Sequence, residues 1–501
     1  MPPAPPVPSG IALLVAGCAA CASPAPSLVA SPGSLDLGTV MAGELGTGGV
    51  WLAHAGDDSV TITDVTLSDP DRWSAALLDP TVDPGQRERL TLGVVGQGPG
   101  TLDAQVMVTT SDGATLTVPL TAGILAADVP AESVDGPELF SWDRTRVHEL
   151  TLNVSADGID ALRSLPTDWV SGSVTYNGQT WDPVALRLKG SASFQTIDAK
   201  PAWKIKFGEY VDGQTFHGLE RLTLNNEVWD SSMMAETMAY WTWRDNGAPA
   251  PRTTYASVTL NGELLGLYAV LESMDDDFMD HMWPGSNGGL YEMTRSCDFT
   301  GDCTCFELQE TGSAYDPDGL TRGCEAVAIG TVDALKDAFD WDAIIRFLAV
   351  ELSVNHPDSY SFNLNNFFVY HDPLADKLSV SPWGADSTFT YVYPPSSATS
   401  DCERLYAEVL GWSSAGWWMT FCRANETCRA DLEAQVLAVA DWMERSDLAG
   451  AMADTRVLLD PHAELETWVN WTVEDRAANI DCMIDWTGGR PETLRVWVEG
   501  P

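Results

Sequence analysis

The feature that most restricts the fold is a helix that leads directly into a polar loop in the last third of the chain. Apolar residues recur at three- and four-residue intervals from about Asp340 to Val354, which predicts an amphipathic helix. Pro357 and the polar residues around it end that helix. In the loop that follows, Asp358 and Asn363 stand five positions apart. The segment therefore places an acid and an amide together at the end of a packed helix.

The residues after this loop supply a further acid. Two strand-like runs, 366–370 and 377–380, are joined by a turn and precede Asp386. In protein kinases an Asp-x4-Asn catalytic loop, a hairpin and a second Asp follow in this order and bring a base and metal ligands to ATP. The order predicts that Asp358 is a catalytic base and that Asn363 and Asp386 bind Mg²⁺. Turn-forming and loop-capping roles are the alternatives.

Basic residues are concentrated upstream, in two alternating runs that a small-residue turn separates. Five of the 27 Lys and Arg residues fall within this stretch: Arg187, Lys189, Lys200, Lys204 and Lys206. Residues two apart on a strand share a face, so Arg187 points with Lys189 and Lys204 with Lys206. A positive face in an acidic chain predicts polyphosphate binding, with Lys204 as the phosphate contact and Lys206 as its rival. A strand edge protected by lysines is the alternative.

The overall charge limits the partners of the chain. It has 72 acidic and 27 basic residues, with a formal net charge of −45. Such a field repels nucleic acid and anionic lipid headgroups, so we expect no nucleic-acid partner. The 20 Trp, 14 Phe and 12 Tyr residues indicate packed cores rather than disorder.

The first residues predict a targeting signal. Residues 10–20 are an apolar run with the length of a signal-peptide core, too short for a bilayer span of about 20 residues. Val15-Ala16-Gly17-Cys18 fits a lipobox in which Cys18 receives the lipid, so residues 1–23 read as signal peptide and tether. The prediction is an exported lipoprotein of the cell envelope or surface, with membrane contact through the N-terminal lipid only. No Lys or Arg precedes the apolar run, so a cleaved signal without lipid and a misassigned start are the alternatives.

The cysteines agree with export. Apart from Cys18 and Cys21 there are eight, and all of them follow residue 296: Cys297, Cys303, Cys305, Cys324, Cys402, Cys422, Cys428 and Cys482. An even number in an exported chain predicts disulfides, whose pairing the sequence leaves open. A zinc cluster is the alternative, since Cys303 and Cys305 are close, but no paired CxxC motif or nearby His completes a ligand set.

Residues 27–124 predict an all-β module. Short alternating runs are separated by Gly, Asp and Pro turns, which is typical of a sandwich. The frames at 35–40 and 83–85 resemble the immunoglobulin-like repeats of bacterial surface proteins. No cluster of catalytic residue types occurs there, so we expect a spacer or adhesion role. Residues 125–145, which contain Pro130 and Pro137, are the predicted linker.

From about residue 146 to residue 490 the sequence resembles the CotH kinase family, atypical protein kinases first named from a spore-coat protein. The matching features begin with the basic-Gly-small turn before a Lys-Pro-aromatic-Lys-x-Lys-Phe strand. They continue through Leu222–Asn226, a helix from about Ser231 to Asn246 that Asp230 caps and Gly247 ends, and a strand pair around 261–262.

The resemblance implies a fold class. The expected architecture is α+β, an atypical protein-kinase-like domain with a helical C-terminal end, preceded by the immunoglobulin-like sandwich. For the helical end, three- and four-residue periodicity predicts helices over 426–445 and 464–486.

The resemblance also implies an activity and further site residues. ATP with Mg²⁺ or Mn²⁺ would be bound, and the γ-phosphate would pass to Ser or Thr of an exported protein whose identity the sequence does not give. Glu236, in the helix after the basic strands, would pair with the phosphate-binding lysine, and Glu272 would lie on the adenine side. An exposed helix glutamate and an ordinary strand-end carboxylate are the alternatives.

One departure from the family pattern bears on activity. The family usually reads Trp-Asp-x-Asp at the metal segment, whereas this chain has Gly384 at the first acidic position and keeps only Asp386. An inactive CotH-like surface protein, acting in adhesion or in envelope or coat assembly, is therefore the rival interpretation. Transfer of AMP instead of phosphate is a second alternative.

Overall fold

The computed structural model describes three stretches of the chain, residues 28–125, 145–389 and 415–500, apart from short gaps within them. The predicted lipobox with Cys18, nearly all of the predicted linker, and Cys402 lie outside the described residues. Within the described part, no helix is long and apolar enough to cross a membrane. The gaps are residues 32, 42–44, 55–58, 78–79, 84–86, 96–97, 295, 302 and 470.

The N-terminal region is a pair of β-sheets around one apolar core. One sheet has the strand order β1-β3-β7-β5 and the other β2-β9-β8-β4-β6. Along β8, alternate residues are buried, so one face of each strand meets the core that includes Val50, Leu92 and Val106. The strands are β1 (Leu28–Ser31), β2 (Leu35–Met41), β3 (Leu45–His54), β4 (Val60–Leu67), β5 (Trp73–Leu77), β6 (Thr81–Val82), β7 (Arg87–Val95), β8 (Gly100–Thr110) and β9 (Thr115–Leu125).

The middle region is a closed barrel of seven strands in the order β10-β11-β12-β13-β14-β16-β15. Strands β10 and β15 close it as a parallel pair. Leu186, Leu188 and Trp203 point into its apolar interior. The intervening basic residues therefore project from its outer face. The strands are β10 (Val147–Val154), β11 (Val170–Tyr176), β12 (Gln179–Lys189), β13 (Ala202–Lys206), β14 (Arg221–Asn225), β15 (Thr253–Leu260) and β16 (Glu263–Glu272).

A second sheet and most of the helices form the rest of the molecule. The sheet has the order β18-β17-β19-β20, with β17 (Gly289–Met293), β18 (Phe306–Thr311), β19 (Phe367–Asp372) and β20 (Lys377–Pro382). The largest apolar core lies among these helices. They are α1 (Ala156–Ser164), α2 (Ala235–Asp245), α3 (Asp276–Met282), α4 (Gly319–Ile329), α5 (Val332–Ala338), α6 (Trp341–Ser353), α7 (Tyr360–Asn363), α8 (Trp417–Ala424), α9 (Glu426–Arg445), α10 (Leu448–Ala463) and α11 (Val473–Glu499).

The predicted C-terminal helices are partly right. Helix α9 has the predicted bounds, because Asn425 caps its N-terminus by accepting a hydrogen bond from the Cys428 N–H. The helix predicted over 464–486 is confirmed from residue 473 onward and wrong at its start. Thr472 and Asp475 build a capping box that begins α11 at Val473, and the preceding helix α10 ends at Ala463.

Helix α2 begins later than predicted, at Ala235 instead of residue 231. The Asp230 carboxylate accepts hydrogen bonds from the Ser232 N–H and from the Ala235 N–H, both at 2.8 Å. It therefore stabilises a separate turn before the helix. Gly247 follows the helix with φ of 75°, as expected for a helix-ending glycine.

Cysteine pairing confirms the disulfide prediction over the zinc alternative. Three bridges lie in the described residues, Cys297–Cys305, Cys303–Cys324 and Cys422–Cys428. Cys482 is disulfide-bonded as well.

The N-terminal sheets rest on helix α10 through a buried polar contact. The Arg89 guanidinium, on β7, donates to Asp454 at 2.6 and 3.1 Å and to Asp447 at 2.7 Å. The Thr91 hydroxyl donates to Asp454 at 2.9 Å, and the Trp51 indole N–H donates to Asp447. We call this set the interface network.

Candidate functional site

A cavity of about 1220 Å³ opens between the outer face of the barrel, the second sheet and the loops after α6 and β20. Eight of the residues singled out from the sequence line it, although they are spread over 200 positions of the chain. They are Arg187, Lys189, Lys204, Lys206, Glu236, Asp358, Asn363 and Asp386.

Asp358 is held by side-chain amides on both of its oxygens. Asn363, at the end of the one-turn helix α7, donates its amide N–H to Oδ1. Asn365 and Asn366 donate to Oδ2 at 3.0 and 2.8 Å. Because the N–H group of the Asn363 amide points at Asp358, the amide oxygen is available to bind a metal ion or a hydrogen-bond donor. The sequence reasoning found Asn363 and missed the two asparagines that follow.

Asp386 enters the cavity from a single 3₁₀ turn, Ala385–Ser387, directly after Gly384. Gly384 has φ of 55°, and a Cβ built on it would lie 2.8 Å from the Asn366 amide oxygen. This position therefore favours glycine in this chain. Burial raises the pKa of Asp386 to about 8, and the nearby Glu236, Asp230 and Asp358 carboxylates act in the same direction.

Lys189 is the lysine that the structure links to Glu236. Its ammonium group donates to the Asn225 amide oxygen, and the Asn225 amide N–H donates to Glu236 at 2.6 Å. Burial lowers the pKa of Lys189 to about 8, against the opposing effects of Glu236 and Asp386. The ammonium also lies 5.3 Å from the centre of the Trp383 ring.

Lys204, the preferred phosphate contact from the sequence, does not pair with Glu236. It stands directly opposite Arg187 in the β12–β13 register, two residue pairs away from Lys189. The strand register, which the sequence alone left open, therefore places Lys189 instead of Lys204 near Glu236. Burial lowers the pKa of Lys204, and the like charge of Arg187 lowers it further.

The basic face is thus divided into paired and unpaired cations. Lys206 lies 2.8 Å from Glu209, and Arg221, which also lines the cavity, forms an ion pair with Glu310. Arg187 stacks its guanidinium 4.7 Å from the Trp169 ring centre. Within the described residues, neither Arg187 nor Lys204 has a carboxylate at ion-pair distance. Two like charges directly opposite on neighbouring strands repel each other. A bound anion between Arg187 and Lys204 would reduce this repulsion.

Glu272 does not line the cavity. It ends β16 in a buried pair with Arg252, whose guanidinium and backbone N–H donate to its two oxygens at 2.5 and 3.1 Å. Arg252 and His281, whose Nδ1 lies 3.6 Å from the carboxylate, outweigh the effect of burial and lower the pKa of Glu272. The chain reaches the cavity one residue later, at Ser273 and Met274. The structure therefore gives Glu272 an ion pair that ties two barrel strands together.

Glu227 is a cavity residue that the sequence reasoning missed. Its side chain is only 4% exposed, and neither carboxylate oxygen has a hydrogen-bond partner within the described residues. Burial raises the pKa of Glu227 well above its ordinary value, and the Glu236, Asp230 and Asp386 carboxylates add to this. The only sequence signal is an acid in the polar run after strand β14.

The site offers oxygen ligands suited to Mg²⁺ or Mn²⁺. The Asp386 carboxylate forms no hydrogen bond or ion pair within the part of the chain that the structure describes, and the Asn363 amide oxygen lines the same cavity. Both are ligands that hard cations prefer. Elsewhere, Asp316, His371 and Asp376 converge closely enough for a metal. There the Arg322 guanidinium donates to both carboxylates, so a cation already stands at that position.

These features define a mixed α+β protein with a strand-rich N-terminal region, a helical C-terminal end and a polar cavity between the barrel and the second sheet. The chain belongs to the CotH kinase protein family, whose model matches residues 186–494.

Individual relatives are more distant. The inner spore coat protein H of Bacillus subtilis is 24% identical over 194 residues, which are 36% of this chain and 53% of that protein. The chain thus matches about half the length of this relative. Among solved structures, a Porphyromonas gingivalis protein of unknown function is 18% identical over 18% of this chain and 43% of its own, with a TM-score of 0.16. A Caenorhabditis elegans MSP-domain-like protein is 15% identical over 19% of this chain and 99% of its own, with the same TM-score.

Proposed function

We propose that this chain is an exported atypical protein kinase that transfers the γ-phosphate of ATP to Ser or Thr of a secreted or surface protein. The observation that carries the proposal is one cavity in which Asp358, held by three asparagine amides, faces Asp386 and a row of cations. Family membership supports the same reaction class.

In this proposal Asp358 is the general base. The amides fix its carboxylate, so that it can accept the proton of an acceptor hydroxyl that enters the open side of the cavity. Positioning of this kind accounts for much of the catalysis of phosphoryl transfer, where the protein forms no covalent bond.

Asn363 and Asp386 would hold the metal ion, which when bound neutralises charge on the phosphate oxygens. Lys189, oriented through Asn225 and Glu236, would contact the phosphates near that ion. Lys204 and Arg187 would bind the remaining phosphate charge, since neither has a carboxylate partner in the described residues. Anion binding would thereby relieve their mutual repulsion.

The remaining regions have roles that agree with export. We propose that residues 1–23 are a lipoprotein signal and tether with Cys18 as the lipidated residue, and that 27–124 is an immunoglobulin-like spacer. Residues 125–145 would connect it to a kinase-like domain over 146–490. The disulfides, together with the spore-coat name of the Bacillus relative, support an oxidising, non-cytoplasmic location.

An inactive surface protein is the second candidate, and Gly384 is the observation that favours it. With a single carboxylate in the metal segment, the site could bind its partners without catalysis. The two candidates differ in nucleotide binding and turnover.

The test is incubation of the purified chain with γ-labelled and, separately, α-labelled ATP in Mg²⁺ or Mn²⁺. Label transfer to an added exported protein or to the chain itself from the γ position alone supports the kinase, whereas transfer from the α position shows AMP transfer. Asp358→Asn should keep nucleotide binding and lower turnover about 10²- to 10⁴-fold.

Asp386→Ala should abolish metal-dependent nucleotide binding, while Asp157→Asn, which removes an exposed carboxylate on α1, should change neither property. If calorimetry detects no nucleotide binding by the unmodified chain with either metal, the kinase proposal fails. The surface-protein candidate then stands.

A further inference from the structure

A fully buried glutamate lies in the last turn of helix α6, close to the loop that carries Asp358. This residue, Glu351, is 0% exposed, although a buried carboxyl group is costly unless hydrogen bonds satisfy it. It is not among the residues that line the cavity. Its hydrogen bonds therefore show what it does for the loop.

The carboxyl group of Glu351 binds the start of the next helix, α7. Its Oε1 accepts the Tyr360 N–H at 3.1 Å, and its Oε2 accepts the Ser361 N–H at 3.2 Å. The Ser361 hydroxyl group also donates to Oε2. The first N–H groups of a helix have no acceptor within the helix, and the N-cap residue Ser359 makes no side-chain capping bond here. Glu351 supplies the acceptors that this one-turn helix lacks.

Glu351 also holds the beginning of the loop. Its backbone oxygen accepts the His356 N–H at 3.1 Å. His356 stands two positions before Asp358 and Tyr360 two positions after it, so contacts with one residue fix the loop on both sides of the proposed base. Helix α6 is itself packed in the largest apolar core, which makes it a rigid support.

The amide partners of Asp358 depend on the same helix α7. Asn363 ends this helix and donates to Asp358, and Asn365 and Asn366 follow it directly and donate to the other carboxylate oxygen. A shift of α7 would therefore move the proposed metal ligand Asn363 and loosen the base at the same time.

We propose that Glu351 is a positioning residue that holds Asp358 and Asn363 in the geometry required for phosphoryl transfer. This inference rests on the proposed function. Glu351 acts through the loop and through α7, without contact to nucleotide or acceptor. A displacement of a catalytic group by about 1 Å lowers a rate by about 10²-fold, so a small shift of the loop is sufficient for a large kinetic effect.

The competing account is that Glu351 only stabilises the fold. A purely stabilising contact changes the fraction of folded protein and leaves the turnover of each folded molecule unchanged. Kinetic constants measured per folded molecule therefore separate the two accounts.

The first experiment measures label transfer from γ-labelled ATP by the full chain, with casein as the Ser/Thr acceptor. Glu351→Gln keeps one acceptor oxygen and should lower kcat about tenfold, and Glu351→Leu keeps none and should lower it about 10²-fold. The KM for ATP should change by less than about threefold, because Glu351 does not touch the cavity cations. The control is Thr91→Val, which removes a buried hydrogen bond to Asp454 in the interface network. It should lower the melting temperature and leave kcat unchanged.

A double-mutant cycle tests whether Glu351 acts through α7. Ser361→Ala removes only the hydroxyl donor and should lower kcat less than Glu351→Gln does. The double variant should lose no more than Glu351→Gln alone, because both changes affect one contact. Fully additive losses would overturn the inference, as would a folded Glu351→Leu protein with parental kcat.

Amide hydrogen exchange, followed by mass spectrometry, tests the loop without turnover. Glu351→Gln should exchange faster than the parent over residues 356–366 and equally over helix α10, since only the loop loses its support. Unchanged exchange over 356–366 would overturn the inference even if the parent proves inactive. If the parent transfers no label from ATP, the kinase proposal fails, whereas faster exchange confined to this loop still supports Glu351 as the residue that positions it.

Discussion

Two buried polar clusters in this molecule treat charge in opposite ways. In the interface network, Arg89 is matched by Asp454 and Asp447, and Asp454 Oδ1 also accepts a hydrogen bond from Thr91. In the cavity, Glu227 has no hydrogen-bond donor, and Lys204 has no carboxylate at ion-pair distance within the described residues.

The interface network and the cavity differ in whether their buried charges have partners within the chain, and this difference indicates which cluster is structural and which binds a ligand. A buried charge that only holds two regions together is stable when its partner belongs to the same chain. Charges that remain unbalanced in a cavity destabilise the folded chain and persist where a ligand completes them. The interface network is thus expected to respond to mutation through stability, and the cavity through binding.

The largest effect should come from reduction of the disulfides, and it should be confined to one side of this comparison. The N-terminal sheets contain no cysteine, whereas the bridges described lie between residues 297 and 428. A bridge such as Cys303–Cys324, with a sequence separation of 21, contributes about 3 kcal/mol. Calorimetry should show that reductant lowers the unfolding temperature of the C-terminal part and leaves that of the N-terminal sheets unchanged. Equal unfolding profiles would contradict the prediction.

Loss of the interface cation should have the next largest effect. Arg89→Leu leaves Asp454 buried without a counter-charge and should lower the free energy of unfolding by about 3–5 kcal/mol. The control is Arg72→Leu, which breaks the exposed Arg72–Asp69 pair and should cost at most about 1 kcal/mol. Urea unfolding measures both. Similar losses in the two variants would show that the interface network is not a structural contact.

A cavity cation should behave in the opposite way. Lys204→Met removes a charge that repels Arg187, so stability should be unchanged or higher. Affinity for ATP or for tripolyphosphate should fall about tenfold or more, because a charged hydrogen bond contributes about 1.5–3 kcal/mol. The matched variant is Lys206→Met, whose lysine is paired with Glu209 and should matter less for binding. Calorimetric titration measures the affinity of both variants. A larger loss of affinity in Lys206→Met than in Lys204→Met would contradict the distinction between unpaired and paired lysines.

The smallest effect concerns acid. His356 is fully buried beside the Asp358 loop, and burial lowers its pKa to about 4. The unfolded chain takes up this proton below about pH 6.5 while the folded chain does not, so stability falls as the pH drops from 6.5 towards 4. At pH 5.5 the loss should be about 1 kcal/mol. His356→Gln should lose this part of the pH dependence, measured as unfolding free energies at pH 7 and 5.5, and an unchanged dependence would contradict the assignment.

The sequence by itself determined the features that depend on neighbours along the chain. Period-two alternation predicted the strands and the shared face of Arg187 and Lys189, and three- and four-residue periodicity predicted helix α9. The order of the Asp358 loop, the hairpin and Asp386 was readable for the same reason, since each is a local pattern.

Only the tertiary structure decided which groups meet. The register of β12 against β13 and the position of Asn225 on β14 link Glu236 to Lys189 instead of Lys204. The pairing of β15 with β16 places Arg252 beside Glu272. Glu227 is buried without a hydrogen-bond partner in the described part of the chain, which no local pattern reveals. Electrostatic energy depends on distance and on the surrounding medium, and both are set by residues far apart in the sequence.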